Sequence, residues 1–500
     1  MTYIGAVGTI SKNISDTPFT RSLEAIAMTA SWNAMAAVTL GSDFIRSQAS
    51  SYLPQEPRET DEAHESRVAR SVLSPYTQRI IETAAGAILR KPIHIEGDDY
   101  WKKFAENVDG LGSDLNEFAR RILVSSLTYG HSAILVDYPP ASVALSLAEE
   151  RALERRPYFV PVEAPQIWGW RQETTLPTSP LTQVRIHEYT TQPQGDFGET
   201  QVEQMRVIYP GSYDLYIQGQ KSFILHESGK FTLPEIPVVP IYANRLGMLR
   251  SQPPLLDIAN LNITHYQRQA DLIHALHVAA MPILILEGFD MDTNEVSVGV
   301  NYALSMTPGN KAYYVQSDAS SFAAQAEEIK AIETQMSTLG ITKLFGQKFV
   351  SESADSKRID QAQSNSVLAV LSMEVCSGLK RAFEMASQYV GIEPPEIYLD
   401  RDFDFYRLIG QDITAITDLN TKGKLSDETL LEILRRGEIL PDDLDIEDEL
   451  ERIRGTETED VEVYENPVEV ETQPEEQPEA EKEEALQPNQ IDRLISLLSR

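Results

Sequence analysis

The sequence has little cysteine and no excess of positive charge, and both shortages exclude classes of site. Its 500 residues contain one cysteine, Cys376, so neither an intramolecular disulfide nor a four-cysteine zinc site can form. Acidic residues number 76 against 43 basic ones, a net charge of -33, which argues against a simple basic surface for nucleic acid. Cys376 lies on the apolar side of a predicted helix, where we expect a buried structural thiol.

Long hydrophobic runs and nucleotide-binding motifs are also missing. The apolar stretch 25–40 is interrupted by polar residues and no positive segment follows Met1, which predicts neither a membrane span nor a signal peptide. The sequence contains no Gly-x-x-x-x-Gly-Lys-Ser/Thr loop, no Gly-x-Gly-x-x-Gly after a strand and no Gly-x-Ser-x-Gly elbow. We therefore expect a soluble protein that is not an enzyme and needs no cofactor.

Three groups of ionisable residues are candidate sites. They are His131 with Asp137, the histidines His265, His274 and His277 near Asp271, and the alternating Asp400, Asp402 and Asp404. His131 and Asp137 share one face of a predicted strand, but no sequence motif supplies the nucleophile that a catalytic dyad would need. The histidines miss the spacing of a zinc helix, and alternate acids on a strand are more typical of solvated turns than of a Mg²⁺ site. We expect all three groups to be structural.

The chain is predicted to be an α+β protein whose helical parts flank a β-rich part. Residues 182–244 alternate with period two between turn residues, which predicts an antiparallel sheet extended by an edge strand at 234–242. The charge is uneven, because residues 442–485 hold 20 acidic side chains against 3 basic ones. The Glu- and Pro-rich composition beyond residue 455 predicts disorder, and residues 489–500 form either a short docking helix or a frayed end.

The chain is organised around a helix, a loop and a second helix. Residues 322–339 carry an apolar stripe on one face and charges on the other, and Gly340 is placed to end that helix. Residues 341–356 have no sustained period, and 357–389 predict a long helix. Connections of this length inside a domain are usually functional or mobile, so a simple surface hairpin with a flexible connection stays open.

The order of these parts resembles the portal (head-to-tail connector) proteins of tailed bacteriophages, in particular a group with an uncharacterised portal-like domain. The resemblance spans residues 50–450. It is carried by the segments 52–57 (Tyr-Leu-Pro-Gln-Glu-Pro), 83–92 (Thr-Ala-Ala-Gly-Ala-Ile-Leu-Arg-Lys-Pro), 129–139 (Tyr-Gly-His-Ser-Ala-Ile-Leu-Val-Asp-Tyr-Pro), 253–259 (Pro-Pro-Leu-Leu-Asp-Ile-Ala), the helix–loop–helix and 423–430 (Gly-Lys-Leu-Ser-Asp-Glu-Thr-Leu). No single segment is diagnostic, and their order carries the resemblance.

The resemblance implies a portal-like protomer with long stem and wing helices. Its parts would be an N-terminal arm and helix (1–50), a wing (51–252) with its β-rich part (182–244), a stem helix (253–279), a small α/β clip (280–320), a second stem helix (321–340), a tunnel loop (341–356), a long wing helix (357–391), a helical crown (392–454) and a disordered acidic tail (455–500). The tail departs from a minimal portal, which leaves its role open.

The resemblance also implies binding partners and a location in the virion. Protomers of that family form a ring, commonly a dodecamer, at a capsid vertex around a channel for double-stranded DNA. The expected partners are further copies of the chain, the major capsid protein, the terminase large subunit and a head–tail adaptor, first in the host cytoplasm and then in the virion, with no membrane. Lys343, Gln347 and Lys348 of the tunnel loop would meet the DNA, although ordinary solvation of a loop explains the lysines equally well.

Two alternatives remain open at the level of sequence. One is a different virion or scaffold component that recruits partners through its acidic tail and has no channel. The other is an unrecognised hydrolase that uses His131, Asp137 or the acids at 400–404. Ring stoichiometry distinguishes the first alternative from a portal, and a measured turnover lost in Asp137→Ala would be needed to favour the second.

Overall fold

The computed structural model describes residues 16–139, 155–174, 176, 179–219, 223–279, 283–287, 309, 311–315, 320–345, 354–399, 410–436, 439–441 and 444–457. The helices described there are α1 (Leu23–Thr39), α2 (Ser42–Ser47), α3 (Ala49–Tyr52), α4 (Asp61–Arg70), α5 (Tyr76–Ile88), α6 (Asp99–Ala105), α7 (Leu115–Tyr129), α8 (Leu256–Ala279), α9 (Ser320–Phe345), α10 (Ala354–Val390), α11 (Gly410–Thr421), α12 (Asp427–Arg436) and α13 (Ile446–Glu457). The strands are β1 (His94–Glu96), β2 (His131–Asp137), β3 (Tyr158–Glu163), β4 (Ile167–Gln172), β5 (Leu181–Gln194), β6 (Gly198–Tyr209), β7 (Ser212–Gln218), β8 (Phe223–Lys230), β9 (Val238–Tyr242), β10 (Arg245–Gly247), β11 (Arg250–Ser251), β12 (Ile283–Glu287), β13 (Lys311–Val315) and β14 (Glu396–Tyr398). The prediction of an α+β fold is confirmed.

Strand β2 lies at the centre of the fold, because it is covered on both faces. It is the middle strand of an antiparallel sheet with the order β3-β2-β9. Ile134 and Val136 face the main helical core, whereas Ala133 and Leu135 face a second core shared with the larger sheet. A strand buried on both faces has an unbroken apolar run, which explains the sequence Ala-Ile-Leu-Val at this position.

The larger sheet is an antiparallel meander with the order β4-β5-β6-β7-β8. Its register runs from Val184↔Ile208 to Gln194↔Gly198 along β5 and β6, so these two strands form a long hairpin. The β-rich part predicted at 182–244 is therefore present. One detail is wrong: β9 pairs with β2 instead of extending this sheet, since its residues Val238, Val239 and Ile241 are buried between two cores and not at an exposed edge.

The main core joins helices from distant parts of the chain. Four aromatic rings, Trp101, Phe104, Phe159 and Phe383, pack edge to face at centroid distances of 5.1–5.6 Å. Edge-to-face packing is the favoured geometry for such rings. Cys376 is buried here, as expected, and its Sγ lies 3.4 Å from the carbonyl oxygen of Ile397.

Local signals in the sequence explain where several helices begin and end. Asp114 accepts a hydrogen bond from the amide of Glu117 and starts α7, and Gly130 ends it in the left-handed region at φ 90°. Pro75 is the N-cap residue of α5 and lies between α4 and α5, where a proline does not interrupt a helix.

The predicted end of the first long helix at Gly340 is wrong. Helix α9 runs through Gly340 to Phe345, and α10 begins at Ala354, so the connection is shorter than the predicted loop 341–356. A Cβ on Gly340 would lie 2.3 Å from Cδ1 of Ile80, which shows that glycine serves a close contact between α9 and α5 here.

Residues 404–500 form a second unit, separate from residues 1–403. Its described helices are α11, α12 and α13, with Ile416 and Ile433 in a small core of their own. Strand β14 pairs with β1 inside the first unit, and the crown predicted from residue 392 stays a prediction. Helix α13 continues to Glu457, past the predicted start of the tail at 455, and the rest of the tail lies outside the described residues.

In the described part of the chain, no helix is long and apolar enough to cross a membrane.

Candidate functional site: a two-helix hairpin and its base

Helices α8 and α9 form an antiparallel hairpin whose far end is a two-stranded ladder. His265 meets Glu333 and Arg268 meets Glu328, so the contacts move backwards along α9 as α8 advances. Strand β12 follows α8 and strand β13 precedes α9. The two strands pair with each other from Ile283↔Val315 to Glu287↔Lys311. The hydroxyl of Tyr313 donates to Oε1 of Glu287 across this ladder at 3.1 Å.

The first half of α8 is fixed to the residues around α4 and α5 by buried polar contacts. Oδ1 of Asn262 accepts hydrogen bonds from the amide and the hydroxyl of Thr77 at 3.2 and 3.1 Å, and its Nδ2 donates to the carbonyl oxygen of Ser74 at 3.0 Å. The hydroxyls of Tyr266 and Ser71 lie 2.7 Å apart in the core. Such satisfied buried networks fix one arrangement of the elements that carry them.

A buried histidine joins the two helices of the hairpin. Nε2 of His265 lies 3.0 Å from Oε1 of Glu333, and the histidine side chain is fully buried. The ring of Tyr76 packs edge-on against His265 at 5.6 Å. Burial raises the pKa of Tyr76, and the negative charge and hydrogen bond of Glu333 raise it further. This group of three side chains connects α5, α8 and α9.

Arg67 on α4 is a second anchor of α8. Its guanidinium lies 2.9 Å from Oε2 of Glu59 and 3.0 Å from Oδ1 of Asp271, and it donates to the carbonyl oxygen of Pro54 at 2.7 Å. The hydrogen bond from Arg67 lowers the pKa of Glu59 to about 2. The Arg67 and Glu59 side chains are nearly buried, so the cost of removing either partner is large.

The hairpin leaves the core as it extends. Ile258, Tyr266 and Met336 near its base are buried, but Leu276 and Val278 near the end of α8 are about half exposed, at 46% and 54%. Residues 323–328 near the start of α9 are exposed as well. The hairpin is therefore packed into the core at its base and exposed towards its outer end.

Helix α10 follows the hairpin and returns into the core with its second half. Leu379 and Phe383 are fully buried, and a Cβ on Gly378 would lie 2.4 Å from Cγ1 of Ile241 on β9. Nη2 of Arg381 lies 2.6 Å from Oε1 of Glu235, and its Nη1 lies 2.8 Å from Oε2 of Glu384. The long helix thus holds the base of the hairpin against the β2 sheet.

Of the three predicted channel residues, only the backbone of Lys343 belongs to the described part of the chain. Lys343 belongs to the last turns of α9 instead of a loop, and its side chain lies outside the described residues. Gln347 and Lys348 also lie outside the described part of the chain, as do Asp400, Asp402 and Asp404. The tunnel-loop assignment therefore stays a prediction.

The other candidate residues have separate partners. Nδ1 of His131 lies 2.6 Å from Oγ of Ser251, and burial lowers the pKa of this histidine to about 4. Asp137 instead accepts from the hydroxyl of Tyr158 at 3.0 Å and pairs with Arg206 at 3.2 Å, so His131 and Asp137 are not a dyad.

The three histidines of α8 also separate. His265 meets Glu333, and Nη2 of Arg70 lies 3.2 Å from Nδ1 of His274, while His277 is exposed. Among the described residues, no three His, Cys, Asp or Glu side chains are grouped as metal ligands.

Sequence reasoning missed the polar base of the hairpin. Arg67, Asn262 and Tyr266 have no distinctive spacing, because each finds its partner on an element far away in the chain. The available signal was weak: two polar residues, Asn262 and His265, lie on the inward face of α8 between Ile258 and Tyr266.

The same hairpin and long helix match a family model. Residues 254–390 match the family described as Domain of unknown function (DUF4055). The match covers little more than a quarter of the 500 residues, from the start of α8 to the end of α10. No curated protein matches the chain.

Chains in three solved structures of gene transfer agent particles are similar to this chain. One is described as the virion of the native particle, with a TM-score of 0.39, 14% identity and coverage of 77% of this chain and 94% of that chain. One is the neck of the empty particle computed with C6 symmetry, with a TM-score of 0.37, 16% identity and coverage of 74% and 92%. One is the neck of the native particle computed with C12 symmetry, with a TM-score of 0.40, 14% identity and coverage of 78% and 98%.

The printed descriptions of these three structures name the virion and the neck of a particle. Their TM-scores are below 0.5, so no residue of this chain takes a role from them.

Proposed function

We propose that this chain is the subunit of a ring-shaped portal, the connector between the head and the tail of a virion. The observation that carries the proposal is the hairpin of α8 and α9, which is fixed at its base by buried polar contacts and followed by the long helix α10. The ordered sequence segments that resemble portal proteins support it, and the family match covers the same hairpin and long helix. A ring of such hairpins would enclose a channel along its axis.

The charge of the hairpin favours a conduit over a tight binding site for DNA. Helix α8 carries two acidic residues and one basic residue, and α9 carries three and two, so each has a net charge of -1 apart from its histidines. Each contact between a basic side chain and a phosphate adds salt-dependent affinity. A wall with few basic residues lets the duplex slide, with Lys343, Gln347 and Lys348 as transient contacts in every subunit.

The far end of the hairpin is the proposed docking region. Residues 280–320, which include β12 and β13, would meet the packaging motor (the terminase large subunit) first and the head–tail adaptor later. The second unit would be the crown inside the capsid, and the outer surface would meet the major capsid protein. In this proposal the chain conducts DNA during packaging and ejection and catalyses no reaction.

Negative-stain electron microscopy of the purified protein, together with its native mass, tests the proposal. We expect rings with a central hole and a mass of about twelve protomers, because heterologous contacts that close around an axis give rings. A monomer or dimer at several protein and salt concentrations would contradict the portal. Large particles without a hole would favour another virion or scaffold component.

A further inference from the structure

Helix α1 is apolar on every side, yet one of its faces is uncovered in the subunit. Its 17 residues contain one charged side chain, Glu24. The uncovered face, here called the α1 stripe, consists of the exposed residues Leu23, Ile26, Ala27 and Ala30. Their spacing of three and four residues places them on one side of the helix. A helix without a polar side is ordinarily buried, so this stripe indicates a contact with another apolar surface.

Helix α10 carries a second uncovered apolar stripe. Val367, Val370 and Met373 follow one another at intervals of three residues and are 39–58% exposed. These three residues are called the α10 stripe. From Glu374 onward the exposed residues of this helix are polar, as on a helix that faces water. The apolar exposure of α10 is therefore confined to one short stretch of its described face.

The two stripes belong to opposite ends of one row of helices. Helix α1 packs on α8, α8 on α9 and α9 on α10, and α5 packs against all four. Among the described residues, no comparable packing joins α1 to α9 or to α10, or α8 to α10. The row therefore begins with α1 and ends with α10, and each end has an apolar stripe that its own neighbours leave uncovered.

The residues just before α1 are bound to a different surface. Phe19 stacks on Phe223 of β8 at a centroid distance of 4.4 Å. Arg21 lies over the ring of Trp168 on β4, and the carbonyl oxygen of Trp168 accepts a hydrogen bond from the amide of Ser22 at 2.8 Å. This part of the N-terminal arm therefore covers the larger sheet and leaves the α1 stripe open.

We propose that the α1 stripe of one copy packs against the α10 stripe of the next copy. A closed ring needs two different complementary surfaces on every subunit, and the two ends of the helix row supply them. The small side chains of Ala27 and Ala30 leave a shallow groove beside Ile26 that can receive the larger Val370 and Met373. The occupant of each stripe is thus a second copy of this chain. The inference rests on the proposed ring and names one of its subunit contacts.

Two cysteine substitutions test the contact directly. Cys376 is buried, so the wild-type chain is a blank for cross-linking with a short bis-maleimide. Ala27→Cys together with Val370→Cys should give a ladder of covalent multimers on a denaturing gel. Leu111→Cys with Val370→Cys is the matched control, because Leu111 is 88% exposed outside both stripes. An equal ladder in the control would count against the contact.

The assembly equilibrium supplies a second measurement. Ile26→Glu should raise the protein concentration needed for half assembly by about tenfold or more, because it puts a charge where an apolar side chain is buried. It should leave the Tm of the dissociated chain unchanged, since Ile26 is 53% exposed there. Leu246→Glu, at an exposed position outside both stripes, should change neither quantity.

Alkylation of the single variant Ala27→Cys distinguishes a second copy from other occupants. We expect fast alkylation in the dissociated chain and protection in the ring. Protection in the dissociated chain that is lost on deletion of residues 1–15 or 489–500 would assign the stripe to the chain's own terminus and overturn the proposal.

The same experiments separate the contact from the ring. Wild-type rings combined with no ladder and no effect of Ile26→Glu would overturn this contact and leave the portal intact. A wild-type chain that stays monomeric would overturn both.

Discussion

His265 of α8 and Glu333 of α9 lie 3.0 Å apart, and this hydrogen bond joins the two helices where the hairpin leaves the core. The histidine side chain is fully buried and the glutamate is partly exposed. The link therefore combines a group that water cannot reach with one that it can. Loss of the glutamate removes the hydrogen-bond partner of Nε2 of His265.

Glu333→Ala should lower the free energy of unfolding by about 1–3 kcal/mol, because it leaves a buried nitrogen unpaired. Urea unfolding and hydrogen exchange of residues 256–279 and 320–345 would measure the effect. Glu328→Ala removes the exposed pair with Arg268, and this control should cost less than about 1 kcal/mol. Equal effects of the two substitutions would contradict the role of His265 as a buried link.

Arg67→Met should destabilise the protein by about 3–5 kcal/mol, because it leaves the nearly buried Glu59 without its cation. Arg268→Met, which breaks an exposed pair, is the control and should cost about 1 kcal/mol or less.

The Glu59 interaction should also depend on pH. The pKa of Glu59 falls from 4.5 to about 2 on folding, so its contribution is complete above pH 4.5 and is lost as the pH falls through 2. The free energy of unfolding, measured at several acidic pH values, should therefore fall less steeply in Arg67→Met than in the wild type. An equal pH dependence in both proteins would contradict the conclusion that Arg67 lowers the pKa of Glu59.

His131 should make the protein less stable as the pH falls from 6.5 to 4. Its folded pKa of about 4 lies below the ordinary value of 6.5, so only the unfolded chain binds the proton in that window. The loss is of the order of 3 kcal/mol. His131→Asn should remove this slope, whereas His94→Asn on the exposed edge of β1 should keep it. Thermal unfolding at several pH values measures both.

Gly378→Ala should destabilise the fold by about 1–3 kcal/mol, because the new methyl group would overlap the buried side chain of Ile241. Gly86→Ala on α5 is the matched control: among the described residues, its Cβ meets no atom within 4 Å. The control should stabilise the helix by about 0.5–1 kcal/mol. A stabilising Gly378→Ala would show that α10 and β9 are not in close contact.

Lys343→Glu combined with Lys348→Glu should leave ring assembly intact and impair the packaging or retention of DNA, because it replaces transient phosphate contacts by repulsion. Microscopy and a DNA-protection assay measure the two properties. Lys103→Glu with Lys230→Glu makes the same change of charge at two exposed positions outside the hairpin. Normal packaging by the first double variant would refute the tunnel-loop assignment.

Local signals in the sequence account for several elements of the fold. Asp114 and Gly130 bound α7, Pro75 separates α4 from α5, and the alternating pattern after residue 182 forms the antiparallel meander. Each depends on neighbours in sequence, such as a side chain that caps its own helix. The end of α9 was predicted wrongly for the same reason. A glycine at this position is the sequence signal of a helix end, whereas in the structure it allows the close approach of Ile80 from a distant helix.

The sequence by itself determined the α+β class, the acidic balance, the lone buried thiol and the order of parts that resembles portal proteins. Only the tertiary structure decided which polar residues matter, since Arg67 finds Asp271 and Thr77 finds Asn262 across about 200 residues of chain. It also brought Arg120, Leu40 and Val162 together around one recess. Composition and periodicity report a residue's preference for an environment, whereas the partner that supplies the environment is fixed by the packing of distant elements.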